Sequence, residues 1–194
     1  MALDIVILGP PGAGKGTQAK RISSETGIPH VATGDMLREA IAGETEMGLR
    51  IRSIYDAGDL VPDDLMIGLI RERLGASDTT DGFILDGFPR NVAQAEALDR
   101  MLEEIDRELT AVLHFQVPDE LAVERLHVRA LQEGRTDDTP DIIRHRLEVF
   151  HQSTEPVVEY YRSKGILVGI HAERPIDAVF AEVQEVLETA ATRQ

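Results

Sequence analysis

Short apolar runs alternate with longer stretches of three-to-four periodicity along the 194 residues. The runs 4–9 (DIVILG), 29–32 (PHVA), 82–87 (GFILDG), 111–117 (AVLHFQV) and 166–171 (ILVGIH) predict strands. Most are apolar throughout rather than alternating, as strands covered on both faces of a parallel sheet must be. Between them the pattern predicts helices at about 14–26, 34–42, 46–57, 63–74, 91–108, 119–132, 140–163 and 175–191. In the last of these, Phe180, Val183 and Leu187 mark a buried stripe. Strands separated by helices imply right-handed crossovers and a three-layer α/β fold. The interval 33–81 breaks the rhythm. It holds about three helices and no strand, too much for one crossover, and predicts a helical flap projecting from the sheet. A smaller break falls at 131–141 (LQEGRTDDTPD), where Gly134 and Pro140 separate two helices. The expected organisation is one domain, with a core of 1–32, 63–130 and 142–194, a flap of 33–62 and a short mobile excursion at 131–141.

Composition narrows the partners. With 20 basic and 35 acidic side chains the net charge is −15, so the bulk surface repels nucleic acid and anionic membrane. An anionic ligand must then be held by a local basic site. Lysine occurs only as Lys15, Lys20 and Lys164, and arginine supplies the remaining positive charge. The absence of cysteine excludes disulfides and thiolate metal sites. No apolar run approaches the roughly 20 residues that span a bilayer. Asp4 interrupts the first apolar stretch and no basic residue precedes it, which is unlike a signal peptide. A cytoplasmic enzyme is the expectation.

The stretch 7–22 (ILGPPGAGKGTQAKRI) supplies that local basic site. Residues 9–15 match G-x-x-x-x-G-K between a predicted strand and a predicted helix, the context a phosphate-binding loop requires. Gly12, Gly14 and Gly16 free the backbone to turn N–H groups inward, and these join the helix N-terminus and the Lys15 ammonium in a polyphosphate cradle. Pro10 and Pro11 stiffen its approach. The residue after the lysine is Gly16 rather than Ser or Thr. Thr17 follows as a weaker candidate for contact with a metal. Asp86 ends the strand 82–87, where a doubly wound sheet places it beside the loop and able to hold the water shell of Mg²⁺.

With the loop, TGDMLR (33–38), GDLVPDD (58–64), DGFPRN (86–91) and EGRTDD (133–138) in this order, the chain resembles the adenylate kinases of the nucleoside monophosphate kinase family from Asp4 to about Glu188. The resemblance implies a P-loop fold with a five-stranded parallel sheet, a monophosphate-binding flap and a short lid without zinc. The reaction it implies is ATP + AMP ⇌ 2 ADP with Mg²⁺, in a monomer that binds neither nucleic acid nor membrane. Carried over by residue, Gly12, Ala13, Gly14, Lys15, Gly16 and Thr17 hold ATP phosphates, with Arg129 beside them and Arg174 near the adenine. Thr33, Arg38, Asp59, Leu60, Val61, Gly87, Phe88, Pro89, Arg90 and Gln94 surround AMP. Arg135 and Arg146 reach the AMP phosphate and the transferring group. Lys15, Arg90, Arg129, Arg135 and Arg146 form the catalytic set.

The chemistry asks for such a set independently. A phosphoryl group between two anions carries spread negative charge, which guanidinium groups clamp bidentately without titrating. Arg125, Arg144, His114 and His145 read as surface or packing residues, and no general base is needed. Asp59 stands where relatives often carry an uncharged polar residue, and Arg174 where many carry glycine. Two alternatives compete: a UMP/CMP kinase, disfavoured by Thr33 and Gln94, and a nucleotide switch, which has no use for arginines at 38, 90, 135 and 146 converging from separate segments.

Overall fold

The first strand, β1 (Leu3–Leu8), shows why its sequence is apolar at every central position. Val6 and Leu8 point to one face of the sheet, against Leu85, Leu98 and Tyr161, while Ile5 and Ile7 point to the other, against Ile22, Phe115 and Val183. This computed structural model describes residues 2–134 and 138–191. The remaining strands are β2 (His30–Ala32), β3 (Gly82–Asp86), β4 (Ala111–Gln116) and β5 (Leu167–His171). All pair in parallel in the order β2-β3-β1-β4-β5. The predicted five-stranded parallel sheet is therefore present. Its order reverses direction at β1, and the crevice at the C-terminal ends of β1 and β3 is where such folds bind ligands.

Helix α1 (Lys15–Thr26) leads from β1 to β2. Next come α2 (Thr33–Ala42), α3 (Glu46–Ala57) and α4 (Asp63–Leu74), with no strand among them. The first two pack at very short range. A Cβ on Gly48 would fall 2.0 Å from the Ala40 carbonyl oxygen, so only glycine permits the crossing. Thr45 caps α3 by accepting from the Gly48 N–H at 3.0 Å.

Helix α5 (Val92–Glu103) ends about five residues before the predicted boundary. Asp106 adopts a left-handed φ of 52°, and the Arg107 N–H returns to the Leu102 carbonyl at 2.9 Å. That turn sends Arg107 to the N-terminal edge of the sheet. There its Nε donates to the buried Asp4 carboxylate at 2.8 Å and its Nη1 to the Thr79 carbonyl at 3.0 Å. The charge that interrupts the first apolar run is thus a buried ion pair.

Helix α6 (Asp119–Glu133) follows β4. The predicted helix 140–163 is divided into α7 (Pro140–Val149), a π turn (Phe150–Thr154) and α8 (Glu155–Ser163). Pro156 explains the division, since it has no N–H to continue the i to i−4 ladder and the wider turn absorbs the gap. Helix α9 (Ile176–Ala191) closes the second face of the sheet with α1, through Val179, Phe180 and Val183.

Candidate active site

The loop of residues 9–14 leaves β1 and enters α1 at Lys15. Two of its glycines are dictated by space as well as by φ. A Cβ on Gly9 would lie 2.7 Å from the Phe115 carbonyl oxygen, and one on Gly12, at φ +85°, would lie 2.4 Å from that of Ala122. The loop is thereby pressed onto β4 and α6. The half-buried Lys15 ammonium folds over it, donating to the Gly9 and Pro10 carbonyls at 2.9 Å each. Burial lowers the Lys15 pKa from 10.5 to about 8; Asp86 opposes the shift, while Arg90 and Arg129 add to it.

Register Ile7↔Asp86 between β1 and β3 sets the Asp86 carboxylate beside the loop. His30, at the start of β2, approaches its Oδ2 at 3.4 Å. Burial alone would raise the Asp86 pKa. The His30 hydrogen bond and the nearby Lys15, His30 and Arg90 charges outweigh it, and the net shift is downward. The group stays anionic, as a holder of hydrated Mg²⁺ must, and among the described residues its single hydrogen-bond partner is His30. A Cβ on Gly16 would be 3.5 Å from Asp86 Oδ2, an ordinary contact, so this glycine is not forced by space.

Arginines converge from three elements. Arg90, after β3, is held by Nε donating to the Gly87 carbonyl at 2.8 Å, and its own carbonyl accepts from Thr154 Oγ1 at 2.9 Å across the π turn. Burial and the neighbouring Arg146 lower its pKa, but an arginine retains its proton. Arg129 on α6 makes a bidentate pair with Asp138 at 2.8 and 2.9 Å, and Arg146 on α7 donates to the same carboxylate at 3.1 Å. The Asp138 side chain is wholly buried. It aligns two guanidinium groups that would otherwise repel, a role the sequence reading did not assign to it. Arg135 lies outside the described residues.

Arg90, Arg129 and Arg146 line a cavity of about 860 Å³, near the upper end for small-molecule sites. By the elements that line it, the cavity can be divided into two lobes, the first from the loop, Thr17, Arg125, Arg129 and the segment 172–176. The other is formed by Thr33, Arg38, Tyr55, residues 58–61, Gly87, Pro89 and Gln94. Lys15, Asp86, Arg90 and Arg146 line the same cavity. A Cβ on Gly87, at φ +89°, would strike Thr33 Oγ1 at 2.4 Å, and that hydroxyl donates to the Asp86 carbonyl at 3.2 Å. Arg38 donates to the Tyr55 hydroxyl at 2.7 Å and pairs with Asp35. Gln94 is buried, with Oε1 accepting from the Arg90 N–H at 2.8 Å and Nε2 donating to Asp63 Oδ1 at 2.7 Å. Among the described residues its amide keeps one lone pair and one N–H without a partner.

Two placements differ from expectation. Phe88 does not line the cavity; its side chain is fully buried in the core with Leu85 and Leu98, where an apolar ring is best satisfied. Arg125, read as a surface charge, lines the first lobe, where Nη1 donates to the Ala172 carbonyl at 2.9 Å. Arg174 reaches the cavity too, yet its guanidinium is occupied by Glu182 and the His171 carbonyl. Arg144 remains exposed and paired with Asp141.

A parallel α/β sheet with a phosphate loop at its switch point and clustered cations in a two-lobed cavity defines a P-loop protein with room for two anionic ligands. The family model described as adenylate kinase matches residues 7–166. An adenylate kinase of Archaeoglobus fulgidus is 43% identical over 213 aligned positions, covering 96% of this chain and 98% of the relative. One of Stenotrophomonas maltophilia is 47% identical over 179 positions (92% and 96%), and one of Xanthomonas euvesicatoria 46% over 183 (94% and 98%). The chain belongs to the adenylate kinase family.

Proposed function

We propose that the chain catalyses reversible transfer of the terminal phosphoryl group of ATP to AMP, giving two ADP, with the loop lobe as donor site and the Thr33–Gln94 lobe as acceptor site. The observation that carries this reading is the set Lys15, Arg90, Arg129 and Arg146 lining one cavity with both lobes. Four cations there are costly for a single ligand and suited to two phosphate chains meeting end to end. Lys15 leaves its carbonyl partners for the donor phosphates, which restore its pKa. Arg129 and Arg146, held side by side by Asp138, stabilise the charge spread over the group in flight. Arg38 and Arg90 orient the acceptor phosphate, which attacks as an anion and needs no base. Gly12, Ala13, Gly14, Gly16 and Thr17 supply the cradle, and Arg125 and Arg174 flank the donor base. Asp86, with Thr17 nearby, fits hydrated Mg²⁺; the ion supplies charge neutralisation between the donor phosphates when bound. Asp59, Leu60 and Val61 present backbone to the acceptor nucleoside, and Gln94 presents its remaining amide valences to the purine edge. Residues 33–62 and 131–141 close over the two substrates and exclude water, which would otherwise take the phosphoryl group.

The cysteine-free composition suits a reducing cytoplasm, and we place the protein there as a monomer. Among the described residues no helix is long and apolar enough to cross a membrane. A coupled assay with ATP and each of AMP, GMP, UMP and CMP tests the reading. AMP should be strongly preferred, and equal turnover of CMP or UMP would contradict the acceptor assignment.

A further inference from the structure

The acceptor lobe is closed along one rim by a contact that neither the phosphate chemistry nor the loop requires. His145 Nε2 on α7 meets Asp59 Oδ1 at 2.6 Å, joining the segment 33–62 to the helix that carries Arg146. The surroundings show what this contact seats. Gly58, at φ +83°, lies so close to α7 that a Cβ there would be 3.1 Å from Arg146 Cγ and 3.2 Å from Ile142 Cγ2. The Arg146 guanidinium stands over the Tyr55 ring at 5.7 Å, and the Tyr55 hydroxyl accepts from Arg38 at 2.7 Å. Drawing Asp59 onto His145 thus holds Tyr55, and with it the acceptor arginine Arg38, against α7, while Arg146 is anchored separately by Asp138. Both partners remain open to solvent, with side-chain exposures of 42% for His145 and 54% for Asp59.

We propose that Asp59 and His145 are positioning residues, a charge-dependent clasp that lowers the KM for AMP when the imidazole is protonated. The proposal rests on AMP being the acceptor. Histidine is the side chain whose ordinary titration falls between pH 5 and 8, and a protonated imidazole beside a carboxylate makes an ion pair where a neutral one makes only a hydrogen bond. Among the described residues, the charged or titratable groups that contacts bring near the pair are Tyr55 and Arg38 on the opposing segment and Asp138, Asp141, Arg144 and Arg146 on or against α7. Arg144 is paired with Asp141 and Arg146 with Asp138, and among the described residues the direct partner of His145 is Asp59.

The KM for AMP, measured at pH 6 and pH 8.5, tests this. Protonation of the AMP phosphate affects every variant alike and cancels in ratios taken at one pH. For His145→Gln the KM relative to wild type should be about three- to fivefold higher at pH 6, the range of a solvent-exposed pair. It should approach unity at pH 8.5. His145→Lys, a permanent cation, should match wild type at pH 6 and fall to about half its KM or less at pH 8.5. In both variants kcat and the KM for ATP should move less than twofold. On an Asp59→Asn background the three forms should share one KM at each pH. A His145→Gln ratio that is the same at both pH values, or that survives on Asp59→Asn, overturns the clasp in an otherwise active enzyme. A wild type that forms no ADP from AMP overturns the functional reading, and the clasp with it.

Discussion

Replacing Lys15 with methionine separates what the phosphate loop does for catalysis from what it costs the fold. The ammonium is held by two carbonyls at 2.9 Å, yet burial and the Arg90 and Arg129 charges bring its pKa from 10.5 to about 8. At about 1.36 kcal/mol per pH unit, that displacement corresponds to at most about 3–4 kcal/mol spent on keeping the group charged below pH 8. Methionine fills a similar volume without the charge, so Lys15→Met should unfold at the same temperature as wild type or higher. The sign with pH follows. Between pH 8 and 10.5 the unfolded chain holds the Lys15 proton more tightly than the folded one, so this group makes wild-type stability rise with pH. The variant lacks that rise, and any stability advantage it has at pH 7 should shrink by pH 10. Activity should move the other way. Loss of the charge at the donor phosphates should lower kcat at least a hundredfold, on the order of 3 kcal/mol of transition-state stabilisation. Urea unfolding at pH 7 and 10 and a coupled ADP assay measure the two effects. Retention of more than about a tenth of wild-type kcat, or destabilisation by more than about 1 kcal/mol at pH 7, would refute this account of Lys15.

Arg107→Leu should do the opposite, because it strands the buried Asp4 carboxylate at the sheet edge remote from the cavity: stability should fall by about 3–5 kcal/mol with kcat unchanged at a temperature where the variant is folded, and a loss under about 1 kcal/mol would show that the pair is dispensable. His151 bridges Asp119 at 2.9 Å and Glu155 at 3.1 Å, and these carboxylates raise its pKa. Its contribution to stability is complete below the ordinary histidine range and fades as pH rises through the raised value, so His151→Gln should lower Tm more at pH 5.5 than at pH 8.5; an equal or reversed difference would remove the charge from the explanation. Two adenosines joined by five phosphates should bind more tightly than ATP or AMP and slow hydrogen exchange across 33–62 and 131–141, because one molecule fills both lobes; unchanged exchange in both segments would leave closure without support.

Much of this architecture was legible in the sequence because its cause is local. The strands are covered on both faces and so are apolar throughout, and the loop needs glycine and lysine at fixed spacing wherever a polyphosphate sits on a helix N-terminus. Asp86 was legible because a strand-terminal carboxylate after an apolar run can only lie at the sheet's C-terminal edge. What escaped depends on partners distant in the chain. Asp138 is indistinguishable in sequence from its acidic neighbours until Arg129 and Arg146 meet on it. Arg125 looks like one more charge on an acidic helix until the segment 172–176 folds against it. Phe88 lies between residues assigned to the acceptor, but its ring faces the core. The π turn at 150–154 was hidden because periodicity continues across it, although Pro156 was the visible signal.

The most direct test of the central claim follows the phosphorus atoms themselves. In a ³¹P NMR time course with ATP, Mg²⁺ and AMP in equal amounts, two ADP should form for each AMP consumed, with no inorganic phosphate and no reaction when AMP is withheld. Release of inorganic phosphate at the same rate with or without AMP would mean that water is the acceptor and that the second lobe does not hold a substrate.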